Sequence, residues 1–144
     1  YGHVEHTADR IEHLQRLRDL QDRTGGFTAF IGWTFQPGGN PLGDELIAGG
    51  WSKATHAEYF RVTSIARIFL DNFDNIQASF VTQGADAAQL SLRMGCNDFG
   101  SVMLEENVVS AAGCCELIDV TGIEKHIVQA GFTPRQRNQE YALL

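Results

Sequence analysis

The stretch GFTAFIGWTFQPGGNPL at residues 26–42 constrains the fold more than any other part of the chain. Nearly every position from Phe27 to Phe35 is apolar, as in a strand buried on both faces, and the run ends in a loop broken by glycine and proline. The pattern recurs: a helix precedes it, another follows, then NIQASFVTQG at 75–84, a further helix, and NDFGSVMLEEN at 97–107. Strand, loop and helix repeated in this way give the rhythm of a parallel α/β protein with a site at its strand ends. The opening Tyr1-Gly2-His3-Val4-Glu5 reads as the C-terminal end of one more strand. The expectation is therefore a single domain over 1–144 that is part of a larger protein, without its N-terminal half.

Finer reading places the first helix over Thr7–Arg23, with Ile11, Leu14, Leu17 and Leu20 as its apolar stripe and Gly25-Gly26 as its stop. Gly38 to Ser52 reads as a long loop. Ser52 is expected to cap a helix over 53–71 that buries Ala57, Phe60, Ile65, Ile68 and Phe69. A second strand over 75–81, a helix over 85–94 ending at Gly95, and a third strand over 97–104 follow. Residues 105–112 read as helical. Thr121 and Glu124 suggest a capping box for a helix over 122–130, before an irregular tail. Three complete strands and one strand end do not close an eightfold barrel, which needs about 250 residues. The tally suits the C-terminal half of a (β/α) TIM-type barrel. A small open α/β sheet is the alternative. A half-barrel alone would leave sheet edges and apolar interior uncovered, so association of the isolated chain is expected.

Charge narrows the partners. The net charge of −7 at a pI of about 5.1, with no Lys/Arg block, argues against a nucleic-acid surface. No apolar run approaches the ~18 residues of a membrane span, so the reading is cytoplasmic, with no membrane partner. Cys96, Cys114 and Cys115 lack CxxC or zinc-finger spacing and read as reduced thiols without a metal, with a strained vicinal disulfide between Cys114 and Cys115 as the alternative. No GxGxxG, Walker loop or GxSxG is present, which removes support for dinucleotide, P-loop and serine-hydrolase readings.

In parallel α/β folds ligands lie beyond the carboxyl ends of the strands. That rule selects His3 and Glu5; Trp33, Thr34 and Gln36; Thr82 and Gln83; and Glu105, Glu106 and Asn107. His3 and Glu5, two apart on extended chain, point the same way and can share a proton or grip a polar ligand. Thr34 and Gln36 share one strand face, with Trp33 and Phe35 on the other as candidate core. Gln77, Ser79, Val81 and Gln83 would share a face of the next strand, where buried amides demand partners. Glu105 and Glu106 fit a helix N-terminus electrostatically. His6, His13, His56 and His126 read as surface or packing residues. The candidate substrate-binding set is His3, Glu5, Thr34, Gln36, Gln83 and Glu105.

YGHVE (1–5), EHLQRLRDLQDRTGGF (12–27), TAFIGWTFQPGGNPL (28–42), NIQASFVTQG (75–84), NDFGSVMLEENVVSAAG (97–113) and AGFTPRQRN (130–138) together resemble the futalosine-pathway radical S-adenosylmethionine enzymes. The resemblance covers nearly the whole chain. GHxE, the GGF helix end and the paired glutamates are shared with the aminofutalosine synthase and FO synthase branches, whereas WTFQP and NIQASFVTQG point to the branch that cyclises dehypoxanthine futalosine in menaquinone biosynthesis. It implies a radical SAM barrel whose first half carries a [4Fe-4S] cluster on CxxxCxxC. It also implies S-adenosylmethionine as source of the radical, an oxidoreductase parent and a small nucleoside-derived substrate. This chain lacks CxxxCxxC, so it would supply part of the substrate wall, be inactive alone, and partner the missing N-terminal half. Gly32 stands where the family has proline before the Trp, which would loosen that strand end, and Cys114-Cys115 replaces a small or apolar pair. Two readings stand beside it: a self-contained α/β binding module, and a half-barrel completed by another chain.

Overall fold

A computed structural model describes residues 1–102, 108–111, 113 and 117–144. Helix α1 (Thr7–Thr24) starts after His6, whose backbone N–H donates to the Asp9 carboxylate at 2.7 Å. It ends on Gly25 in the left-handed conformation. Gln21 then turns the chain into the sheet, because its side chain both accepts from Phe27 N–H and donates to Phe27 C=O. The expected stripe is only half correct. Leu14 is buried and Leu17 partly so, but Ile11 and Leu20 are exposed. A spacing of three residues falls short of a 3.6-residue turn, so the stripe drifts by roughly 60° per step and its ends leave the core.

The sheet is parallel and follows chain order. Strands β1 (Phe30–Ile31) and β2 (Ile76–Gln77) pair with Phe30 opposite Ile76 and Ile31 opposite Gln77. Gln77 bridges on to Asp98, also in parallel. On the far side of β1, the Tyr1 amino group donates to Trp33 C=O at 2.8 Å, and Phe35 N–H donates to Tyr1 C=O at 2.7 Å. Tyr1 thus sits as a strand end beside residues 33–35.

Ladder pairing is much shorter than the three full strands expected. Past Gln77 the chain leaves the sheet: Ala78 N–H still reaches Asp98 C=O at 2.8 Å, but Ser79 N–H donates to the Tyr59 hydroxyl at 3.0 Å. Residues Phe80–Gln83 then wind into one turn, α4, with all four side chains buried. Val81, Thr82 and Gln83 are therefore helical, and the period-two face proposed for them does not exist.

The loop expected over 38–52 contains helix α2 (Pro41–Ala48). Asn40 caps it, its Oδ1 accepting from Gly43 N–H at 2.8 Å, and Pro41 takes the first turn, where no amide proton is needed. Gly43 lies so close to Pro37 that a Cβ would run into the Pro37 carbonyl. Helix α3 (His56–Phe69) is capped by Thr55, not Ser52, through Glu58 N–H at 3.2 Å. Its buried face is Tyr59, Thr63 and Ala66, continued by Leu70, while Ile68 is 81% exposed. The face is rotated from the expected one because Tyr59 must meet Ser79. Tyr59→Phe removes that acceptor and leaves a buried N–H unpaired. It is expected to cost about 1–3 kcal/mol in denaturant unfolding, and an unchanged midpoint would contradict this role.

Helix α5 (Ala85–Ser91) continues through a 3₁₀ turn at Leu92–Met94. The short helix α6 (Val108–Ala111) lies within the expected 105–112 segment. Helix α7 (Val120–Gln129) starts at Asp119, which accepts from Gly122 N–H, rather than at Thr121. The apolar core gathers Leu14, Leu70, Phe73, Ile76, Phe80 and Phe99 between the sheet and these helices. The tail is more ordered than expected. Arg137 bridges to Leu143, and Arg137 Nη2 donates to Asp98 Oδ2 at 2.6 Å. The Tyr141 hydroxyl donates to the same oxygen at 3.0 Å. Burial, then the Asp98 charge, push the Tyr141 phenol up to about 12.

Candidate functional site

Two polar groups are built at the carboxyl ends of the sheet. The first is built on Glu5. Its Oε1 accepts from Gly2 N–H at 2.5 Å and Arg10 Nε at 2.7 Å. Its Oε2 accepts from His3 N–H at 3.1 Å and is 3.0 Å from His3 Nδ1. Burial opposes charge on this carboxylate, but the Gly2 and His3 amides and the Arg10 guanidinium outweigh it and hold Glu5 well below the usual carboxylate range. Arg10 also pairs with Glu58 at 2.5 Å. An ionised Glu5 accepts from Nδ1, which leaves His3 Nε2 as the second ring nitrogen, an acceptor in the neutral imidazole. Glu5 is thus occupied by four donors and acts as the group that orients His3.

The His3 ring stacks on Phe35, with centroids 5.2 Å apart, and Phe35 meets Trp51 edge-on at 5.7 Å. Trp51 Nε1 donates to Gly2 C=O at 3.0 Å, tying the loop after α2 to the His3 segment. Trp33, offered as core, is 50% exposed.

The second group is built on Thr34, which is 3% exposed. Gln36 Nε2 donates to its hydroxyl at 3.0 Å and to its carbonyl at 3.1 Å. Gln83 Nε2, arriving from α4, donates to the same hydroxyl at 2.7 Å. Thr82 joins through Ser79, with the two hydroxyl oxygens 2.6 Å apart. Five of the six candidate substrate-binding residues therefore fall into two clusters, carried by the consecutive residues Thr34 and Phe35. Glu105, Glu106 and Asn107, with Cys114 and Cys115, lie outside the described residues.

Sequence reasoning missed Arg10, Tyr59 and Trp51. Arg10 was legible in principle, since it lies five residues after Glu5, in the first turn of the next helix. Tyr59 and Trp51 carried no signal, because their partners are backbone groups distant in the chain. Among the histidines, His126 is a packing residue, with Nδ1 2.7 Å from Gln89 Oε1 and its ring stacked on Phe99.

The described residues do not fit an iron–sulfur cluster. No group of three or more His, Cys, Asp or Glu is gathered among them. Cys96 is buried, and burial pushes its thiol up, away from the thiolate a metal needs. No helix among the described residues is long and apolar enough to cross a membrane.

Fold and site first define a class: an α/β protein with a small parallel sheet and its polar clusters at the carboxyl ends of the strands. Within that class the family is specific. The family model described as "CofH/MqnC C-terminal region" matches residues 24–144, and the chain belongs to that family. It is 49% identical, over 97% of its length, to a Streptomyces coelicolor protein named cyclic dehypoxanthine futalosine synthase. A Halalkalibacterium halodurans protein of the same name is 45% identical over 99% of the chain. A Methanosarcina acetivorans protein named 5-amino-6-(D-ribitylamino)uracil–L-tyrosine 4-hydroxyphenyl transferase 1 is 40% identical over 98%. The chain spans 34%, 37% and 38% of those relatives' lengths.

Proposed function

We propose that this chain is the C-terminal part of a radical SAM barrel enzyme that converts dehypoxanthine futalosine to its cyclic form in menaquinone biosynthesis. The observation that carries the reading is 49% identity across nearly the whole chain to a protein of that name. The parallel segments in chain order, with polar clusters at their carboxyl ends, are what one side of such a barrel would present. In this reading the cluster and S-adenosylmethionine supply the radical from the remainder of the parent. The residues here bind and orient. His3, held by Glu5 and flattened on Phe35, offers Nε2 to a polar group of the substrate. Gln36 and Gln83, gathered on the Thr34 hydroxyl, offer a second polar group to the substrate, and Glu105 completes the set. The parent is an oxidoreductase of the cytoplasm, and this chain by itself is inactive.

A second reading is favoured by one observation, the 40% identity to the 4-hydroxyphenyl transferase over 98% of the chain. It would keep the fold and exchange the substrate. Anaerobic incubation of the full-length parent with S-adenosylmethionine and a reductant separates the two. Formation of 5′-deoxyadenosine that depends on dehypoxanthine futalosine is the expected result. Formation that depends instead on the ribitylaminouracil and tyrosine would move the assignment to the transferase.

A further inference from the structure

Gln83 is held in an unusual way for a residue only 7% exposed. A primary amide has two N–H groups, and both are used inside the protein: Nε2 donates to Thr34 Oγ1 at 2.7 Å and to Thr82 Oγ1 at 3.2 Å. Thr82 directs its own hydroxyl toward Ser79, which it meets at both the side-chain and carbonyl oxygens, so toward Gln83 it is an acceptor. Thr34 Oγ1 in turn receives Gln36 Nε2, whose orientation is fixed because the Thr34 carbonyl can only accept. In this arrangement Gln83 turns Nε2 toward both hydroxyls. Its carbonyl Oε1 has no hydrogen-bond donor among the described residues. That oxygen is not one of the buried side-chain atoms left without a partner, so it stands open to solvent and can accept from a ligand. Gln83 also lines a cavity of about 380 Å³ with His56 and Phe60, at the start of α3 and α5.

We infer that Thr34 is a positioning residue that fixes the Gln83 carboxamide with its carbonyl free to accept from a hydroxyl or N–H of the substrate, making Gln83 a specificity determinant. The inference rests on the proposed substrate reading for the identity of the ligand, but not for the geometry. Thr34 touches no ligand in this account, since it is buried beneath the two amides that its hydroxyl oxygen receives.

The test uses the full-length parent. Thr34→Val, which keeps the shape and removes the hydroxyl, is expected to raise KM for dehypoxanthine futalosine about tenfold, with a smaller effect on kcat. Thr34→Ser restores KM. Gln83→Met is expected to raise KM at least as much, and the Thr34→Val/Gln83→Met double variant no further, because both act through one acceptor. The second readout needs no turnover: side-chain amide exchange by NMR in the cluster-free parent. The Gln83 Nε2 protons should be protected in the wild type and in Thr34→Ser, and should exchange at least about tenfold faster in Thr34→Val. Unchanged exchange in Thr34→Val, or additive KM effects in the double variant, overturns the inference. If Thr34→Val does not fold, Gln83→Met alone decides: an unchanged KM refutes the specificity role. Failure of the wild-type parent to accept dehypoxanthine futalosine refutes the substrate reading instead, while the exchange measurement still judges Thr34.

Discussion

Glu5→Ala is expected to reduce turnover of the full-length parent by about a hundredfold and to cost about 2–4 kcal/mol of stability. The carboxylate collects four donors, and its removal leaves the Gly2 and His3 amides and Arg10 short of an acceptor in a partly buried site. The loss in rate follows from His3, which would lose the partner that sets its tautomer and tilt; misplacing a positioned group by about 1 Å costs on the order of 10²-fold. The pH dependence has a definite sign. Glu5 is held below its usual range in the folded chain, whereas unfolded glutamate titrates near ~4.3. Its stabilisation is therefore fully present above about pH 4.3 and is lost as pH falls toward the folded value. Between about pH 5 and pH 2, wild type should lose stability more steeply than Glu5→Gln. Parallel acid unfolding curves for the two would contradict the account.

Leu70→Ala is expected to destabilise the chain by about 2–5 kcal/mol, the cost of a cavity that cannot collapse. Leu70 is fully buried where α3 ends, and it joins α1, the sheet and Phe73 in one core. Leu17→Ala on the partly buried face of α1 should cost less, about 1–2 kcal/mol. Chemical denaturation of both variants checks the order. Equal losses would show that the two helices share the core evenly and that the Leu70 site relaxes.

That pair of leucines shows what the chain discloses about its fold. The α1 helix, its Gly25 stop and the alternation of helix with apolar segment were legible, because capping, glycine punctuation and periodicity are local. The parallel order of Tyr1, β1, β2 and Asp98 followed from that alternation. Strand ends were not legible, since Ser79 leaves the ladder for the Tyr59 hydroxyl, a contact 20 residues away that no local signal encodes. Helix α2 was missed although Asn40-Pro41 is a cap followed by a favoured first-turn residue; the surrounding glycines masked it. The α3 face was misread because Tyr59 and Thr63 are polar enough to suggest solvent. At the site, His3 with Glu5 and Thr34 with Gln36 could be paired from a two-residue spacing on extended chain. Gln83 was placed correctly among the candidates but on a strand it does not occupy; a helical turn brings it to Thr34.

The central claim is that this chain forms part of the wall against which dehypoxanthine futalosine is cyclised. The most direct measurement is a competition in one vessel. Full-length parent, reconstituted with iron and sulfide, receives S-adenosylmethionine, reductant, dehypoxanthine futalosine, and the ribitylaminouracil with tyrosine, and products are followed by mass spectrometry. The account predicts cyclic dehypoxanthine futalosine, formed in step with 5′-deoxyadenosine and greatly slowed by Glu5→Ala. Accumulation of a 4-hydroxyphenyl adduct of the uracil, with dehypoxanthine futalosine left intact, would contradict it.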